Sequence, residues 1–222
     1  MRSTTPLWVW YLMRASGLVA LVLLSAGVAL GVVGVARWRS TRWPRLVTAG
    51  LHRTLPLLAL VFLAVHVGTA IVDSFVGLHW VGVVVPFVST YRPFWVGLGV
   101  LAGDLMLAVV ATSLLRRHLG YHAWRAVHWG AWVLWPLALF HSLGSGTDAR
   151  TPWDIGITAV CLATVGAAAL WRLWLADGAD GGGDGGLLLR VDPVPSRRLA
   201  APVPVSVERV GTARRVSGGG GR

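Results

Sequence analysis

The sequence has one cysteine, no lysine and few acidic residues. Cys161 lies alone inside an apolar run, so this chain by itself supports no disulfide framework, no CxxC zinc site and no iron–sulfur cluster. All twenty basic residues are arginine, and with nine acidic residues the formal net charge is +11. Most arginines fall in two short inter-helix loops and in the C-terminal part. Membrane proteins place basic residues in this way, so nucleic-acid binding is not expected.

Long polar segments are also scarce before the C-terminal part. Of the 222 residues, 55% are hydrophobic, and several apolar runs reach about twenty residues, the length that crosses a bilayer as a helix. The first run is too long for the apolar part of a secretory signal, about 7 to 15 residues, and we expect it to be retained. The sequence therefore predicts an all-α integral membrane protein with about five transmembrane helices. These spans are expected at residues 8–36, 46–72, 94–115, 123–143 and 155–175.

The arginine distribution also predicts the topology. Four arginines follow the first span and two follow the third, whereas the other loops between spans hold few, so the N-terminus is expected outside and the C-terminus inside. We divide the chain into a first span with its cytoplasmic basic loop (1–45), a helical membrane domain (46–176) and a disordered Gly-, Pro- and Arg-rich cytoplasmic tail (177–222). The expected location is the cytoplasmic (inner) membrane of a bacterium.

Two of the predicted spans each contain a pair of histidines. His52 and His66 are fourteen residues apart, and His128 and His141 are thirteen apart. At about 1.5 Å per residue these separations are roughly 20 Å, which fits within a hydrocarbon core of about 30 Å. Both spans run from inside to outside. We therefore expect His52 and His128 to lie together at the inner level of the membrane, and His66 and His141 at the outer level. Two levels with two imidazoles each could hold two b-type haems, each with two axial histidines.

The rotation of an ideal helix places His52 and His66 on nearly the same helix face, but it does not do so for His128 and His141. Fourteen residues at about 100° each return His66 to within about 40° of the face of His52, but thirteen leave His141 about 140° from His128. The fourth span must therefore be distorted, and Pro136 is the expected cause. His118 or His122 could replace His128 if the span begins differently, although both are more typical of a solvated loop, and His79 is typical of the interface.

The motif H-x13-H, followed two spans later by H-x12-H, resembles the ferric reductase-like transmembrane domain. This superfamily includes the NADPH oxidases, the ferric reductases and the haem-binding membrane subunit of the periplasmic methionine-sulfoxide reductase system. The resemblance covers residues 47–175 and implies that His52 and His128 ligate an inner haem iron, and His66 and His141 an outer one. One or two haems b are implied, and we favour two. Family members usually have six spans, and the flavin is expected on a partner rather than on this chain.

Further charged residues are candidates for contact with the cofactor. Arg53 and Arg125 lie near the inner histidines, and Arg14 and Arg92 near the outer level, so each could pair with a haem propionate. Ordinary positive-inside charge, or snorkelling of Arg14, is the alternative explanation. Asp104 lies near the middle of the third span, where a carboxylate is expected to be protonated, ion-paired or part of a proton path.

The expected function is transmembrane electron transfer, as the membrane subunit of an oxidoreductase system whose flavoprotein or quinol electron donor lies elsewhere. No catalytic residue is predicted on this chain, and whether it is itself an enzyme is left open. A haem-free scaffold or small transporter is one alternative, and it predicts no Soret absorbance. A quinol-linked cytochrome b that anchors a respiratory enzyme is another, and it predicts reduction by quinol without a flavoprotein. The lipid bilayer is a partner in every case.

Overall fold

The structure, a computed structural model, describes residues 6–35, 45–74, 76–146 and 151–180. Every regular element within these ranges is helical, which confirms the predicted all-α class. In chain order the helices are α1 (Leu7–Val35), α2 (Arg45–Val72), α3 (Trp80–Val84), α4 (Pro93–Leu114), α5 (Tyr121–Trp129), α6 (Ala131–Ser145) and α7 (Pro152–Asp180).

Four helices are long and apolar enough to cross a membrane, so the chain is a multi-pass membrane protein. They match the predicted first, second, third and fifth spans to within three residues at each end. Large apolar side chains such as Val61, Leu107 and Leu170 stay exposed on them, as a surface that faces lipid requires. The membrane-crossing segments are Leu7–Gly34, Leu46–Val72, Pro93–Leu114 and Pro152–Leu175.

The predicted fourth span is formed by two helices, α5 and α6, joined at Gly130. The amide of Gly130 donates to the carbonyl of Val127 at 2.9 Å, which makes a tight turn of the 3₁₀ type. By contrast, α6 continues as a helix through Pro136. The expected distortion exists, but its assignment to Pro136 was wrong. A 3₁₀ turn rotates the chain by about 120° per residue instead of about 100°, and this extra rotation brings His141 towards the face of His128.

The helices pack in two groups that share a core. Helix α1 runs along α2 and α7, whereas α4 runs along α6. The core contains the buried Cys161, which has the packing role that the sequence predicts. One buried polar contact joins the groups, because the indole Nε1 of Trp135 donates to the hydroxyl of Ser25 at 2.8 Å. The other buried core residues are Leu21, Leu24, Ala59, Ala102, Met106, Val110, Leu134, Leu139 and Val165.

Two predicted segments lie wholly or mostly outside the described residues. These are most of the basic loop after the first span (36–44) and the C-terminal part (181–222), to which the prediction of disorder applies. Helix α7 extends to Asp180, so helical structure passes the predicted start of the tail at residue 177. Between α2 and α4 the chain forms the short helix α3, whose Trp80 is 76% exposed and which directly follows His79.

Candidate functional site

The imidazole rings of His66 on α2 and His141 on α6 face each other across the bundle. Their ring centroids are 6.2 Å apart and the ring planes are nearly perpendicular, at 85°. The sequence predicts this pairing from depth in the membrane. We call these two residues the His66–His141 pair.

His52 on α2 and His128 on α5 form a second pair with almost the same geometry. Their ring centroids are 6.1 Å apart and the interplanar angle is 80°. Because His52 and His66 are fourteen residues apart on one continuous helix, the two pairs lie about 21 Å apart along its axis. We call this the His52–His128 pair.

The separation within each pair matches two imidazoles that share one metal ion. With metal–imidazole bonds of about 2 Å and a ring centre about 1.2 Å behind the ligating nitrogen, rings on opposite sides of one ion have centroids about 6.4 Å apart. The observed values are 6.2 and 6.1 Å. In the part of the chain that the structure describes, no cluster of three or more histidine, cysteine or acidic side chains could hold a bare metal ion. Each pair therefore offers two imidazole nitrogens as possible ligands of one metal ion.

Three of the four histidines are oriented by a backbone carbonyl of a neighbouring helix. Nδ1 of His66 lies 2.7 Å from the carbonyl oxygen of Met13, Nδ1 of His52 lies 2.9 Å from that of Gly27, and Nδ1 of His141 lies 2.8 Å from that of Trp95. A carbonyl only accepts hydrogen bonds, so Nδ1 must carry the proton in each ring. In a neutral imidazole the free electron pair is then on Nε2, which is the tautomer that a metal requires.

Each of these carbonyls lies four residues before a glycine on which the imidazole rests. A Cβ added to Gly17 would come 2.8 Å from the ring of His66, and one added to Gly31 would come 3.0 Å from the ring of His52. Gly99 is packed even more tightly against the ring of His141. The missing side chains let each ring approach the helix backbone closely enough to donate to it. We call each combination of a carbonyl and a glycine four residues later a carbonyl–glycine notch.

His128 has no such notch. Its Nδ1 is buried and has no hydrogen-bond partner among the described residues. The ring instead stacks on the indole of Trp124, with centroids 5.1 Å apart and an angle of 26°. Trp124 also lies under the guanidinium of Arg116, at 4.3 Å from its ring centroid. His128 is therefore positioned by stacking rather than by a hydrogen bond.

A cavity of about 390 Å³ borders the His66–His141 pair. It lies between α1, α2, α4 and α6, and most of its lining is apolar. This is within the size range of cofactor and small-ligand sites in proteins, about 300 to 1,000 Å³. Arg14 and Asp104 also line it. The cavity therefore combines a mostly apolar lining with two ionisable side chains.

Arg14 is held close to this cavity by a buried carboxylate. Its Nη2 lies 3.9 Å from Oδ1 of Asp154 at the start of α7, and the Asp154 side chain is only 1% exposed. The predicted alternative, in which Arg14 snorkels alone, does not describe this contact. The pair places a guanidinium near the His66–His141 level, and the Coulombic attraction offsets part of the desolvation of the two charges.

The other predicted propionate partners lie in less enclosed positions. Arg53 is exposed, and Arg125 is exposed with its Nη1 3.3 Å from the hydroxyl of Tyr121. Arg92 precedes α4 and donates from Nη1 to the carbonyl of Gly144 at 2.5 Å. Asp104 is exposed on α4 but contributes to the cavity lining. The structure brings Arg14 and Asp104 to the cavity and leaves Arg53, Arg92 and Arg125 at its periphery or beyond it.

The remaining histidines, His79, His118 and His122, are all exposed. The structure pairs His128 with His52, and neither His118 nor His122 takes its place. Sequence reasoning missed the notch glycines, although one signal was available. Gly17 and Gly31 are fourteen residues apart, the same spacing as His52 and His66 on the adjacent antiparallel helix.

Comparison with known proteins gives no match to a protein-family model, a curated protein or a solved structure.

Proposed function

We propose that the chain is the haem-binding membrane subunit of a transmembrane electron-transfer system. The observation that carries this proposal is the pair of facing imidazoles at each of two levels, with a centroid separation of 6.1 or 6.2 Å. The separation recurs at both levels and is close to the one calculated for two imidazoles that share one metal ion. The resemblance to ferric reductase-like domains points to the same function.

In this proposal each histidine pair would hold one b-type haem through its Nε2 atoms. A bound haem supplies one-electron redox chemistry at the iron, and its potential depends on the axial ligands and on their hydrogen bonds. The notches fix the tautomer and orientation of His52, His66 and His141. The buried core, which includes Trp135 and Met106, would provide an apolar medium between the two levels.

The charged residues near the cavity have a separate role. Arg14 is the best placed of the predicted residues to neutralise a propionate at the His66–His141 level, because it lines the cavity while Asp154 restrains it. Asp104 is the candidate for an accompanying proton, since it also lines the cavity.

The direction of electron flow follows from the predicted topology. Electrons would enter at the His52–His128 level, on the cytoplasmic side, from a flavoprotein or a quinol. They would leave at the His66–His141 level on the outer side of a bacterial cytoplasmic membrane. The flavin would belong to a partner, and an acceptor outside the membrane would complete the system.

The proposal is tested by electron transfer across a sealed membrane. The haem-loaded protein is reconstituted into liposomes that contain ferricyanide, and dithionite is added outside. We expect the trapped ferricyanide to be reduced much faster than in liposomes without protein, and the His66→Ala variant to lose most of this rate. A haem-loaded protein that leaves the rate at the level of empty liposomes would contradict the proposal.

A further inference from the structure

Three of the four histidines have a carbonyl–glycine notch and His128 has none. The reason for this difference is found on α4. This helix provides the notch for His141 through the carbonyl of Trp95 and Gly99. On α1 the two notches are fourteen residues apart, at Gly17 and Gly31. The same spacing on α4 leads from Gly99 to Ser113, where a second notch would be expected beside His128.

Ser113 has a side chain at the position where the three notches have a glycine. Its hydroxyl donates to the carbonyl of Val109 at 2.6 Å, and Val109 lies four residues before it, at the position of the notch acceptor. The preceding residue gives the same result, because the hydroxyl of Thr112 donates to the carbonyl of Ala108 at 2.7 Å. Either register therefore presents a hydroxyl side chain in place of the notch glycine.

The contacts around Trp124 link this position to His128. The indole Nε1 of Trp124 donates to the hydroxyl of Ser113 at 3.4 Å, and its ring stacks on His128. Gly130, two residues after His128, comes close to the side chain of Val109. Ser113 thus belongs to the same small group of side chains as His128, whose Nδ1 has no partner in the described part of the chain.

We propose that Ser113 is a positioning residue that makes His128 the weakest, displaceable axial ligand of the four. A hydrogen bond from Nδ1–H to a carbonyl raises the basicity of Nε2 and fixes the ring, so an imidazole without that bond is the weaker ligand. The inference rests on the proposed function, since it concerns how the His52–His128 pair holds its iron. It implies that this level binds small exogenous ligands, whereas the His66–His141 level does not.

Carbon monoxide is a suitable probe, because it binds ferrous haem only where an axial position can open. In the reaction the bond between iron and Nε2 of His128 breaks, a bond between iron and the carbon atom forms, and the iron stays ferrous. On the dithionite-reduced protein we expect one CO for every two haems. The His66→Ala variant, which keeps the His52–His128 pair, should bind about one CO per remaining haem. The His52→Ala variant, which keeps the other pair, should bind none.

The role of Ser113 is tested by comparing Ser113→Gly with Ser113→Ala. The glycine variant removes the side chain at the notch position and the stronger of the two hydroxyl bonds to the carbonyl of Val109, leaving that of Thr112 at 3.2 Å. This carbonyl can then accept from Nδ1 of His128, so CO affinity should fall about tenfold, within the range that changes in such supporting hydrogen bonds produce. The alanine variant keeps a Cβ at the notch position and should stay within about threefold of the unaltered protein.

Each other result has a defined meaning. CO binding to both haems or to neither would overturn the displaceable role of His128. Equal CO affinities of Ser113→Gly and Ser113→Ala would overturn the role of Ser113. If the unaltered protein binds no haem, the proposed function itself fails, and this outcome is distinguishable because it is seen before CO is added.

Discussion

The imidazole of His66 rests directly on the backbone of Gly17. A Cβ at Gly17 would come within 2.8 Å of Nδ1 of this ring, while Nδ1 donates to the carbonyl of Met13 at 2.7 Å. The absence of a side chain on one helix thus determines how a side chain on the next is oriented. The same relationship occurs at Gly31 with His52 and at Gly99 with His141.

The first prediction concerns Gly17. The substitution Gly17→Ala should displace the ring of His66, break its bond to Met13 and remove about half of the bound haem. A suitable control is Gly68→Ala on α2, because a Cβ at Gly68 meets no atom within 4 Å. Haem content per chain is measured by the pyridine haemochrome method. Equal haem content in the two variants would contradict the role of the notch.

The second prediction tests which histidines share an iron. The double variant His66→Ala, His141→Ala should lose no more haem than either single variant, about one of two, because both residues serve one site. The double variant His52→Ala, His66→Ala should lose both haems. Residues that act as one unit are non-additive in this way, whereas independent sites add. Loss of only one haem from the second double variant would contradict the observed pairing.

The third prediction concerns the buried ion pair. Replacing Asp154 by Asn leaves Arg14 without the carboxylate 3.9 Å away and should lower the free energy of unfolding by about 3 kcal/mol. Adding Arg14→Leu to this variant should recover part of the loss, since the guanidinium that faced Asp154 is then removed. The measurement is thermal unfolding in detergent for both single variants and the double variant. Additive losses would show that the two side chains do not interact.

The fourth prediction concerns the polar contact between α1 and α6. Ser25→Ala leaves the indole N–H of the buried Trp135 without its acceptor and should cost about 1 kcal/mol of stability. The matched control is Ser16→Ala, because the hydroxyl of Ser16 bonds only to carbonyls of its own helix, those of Leu12 and Met13. In thermal unfolding, Ser25→Ala should have a lower stability than Ser16→Ala. The reverse order would contradict the assigned contact.

The sequence predicted the continuous elements well. The apolar runs gave four membrane-crossing helices to within three residues. The histidine spacings gave the two pairs that the structure brings together, His52 with His128 and His66 with His141. Both inferences depend only on helix length and rise, which are properties of a single helix.

Features that depend on contacts between helices were not predictable in the same way. The break at Gly130 was assigned to Pro136, because proline is the commonest cause of a kink, but α6 accommodates Pro136 and the tight turn lies before it. The partner of Arg14 was sought among haem propionates, and the structure adds Asp154, which is 140 residues away in sequence. The first outcome depends on a local turn between Val127 and Gly130, and the second on packing between distant segments.

The most direct test is the haem content of the purified full-length protein, expressed with haem in excess. A pyridine haemochrome assay combined with a dithionite-reduced-minus-oxidised spectrum gives the haem type and its stoichiometry. The account predicts a b-type spectrum with close to two haems per chain, and the loss of about one in each of His66→Ala and His128→Ala. A folded protein without a Soret band under these conditions would contradict it and would favour the haem-free scaffold or transporter.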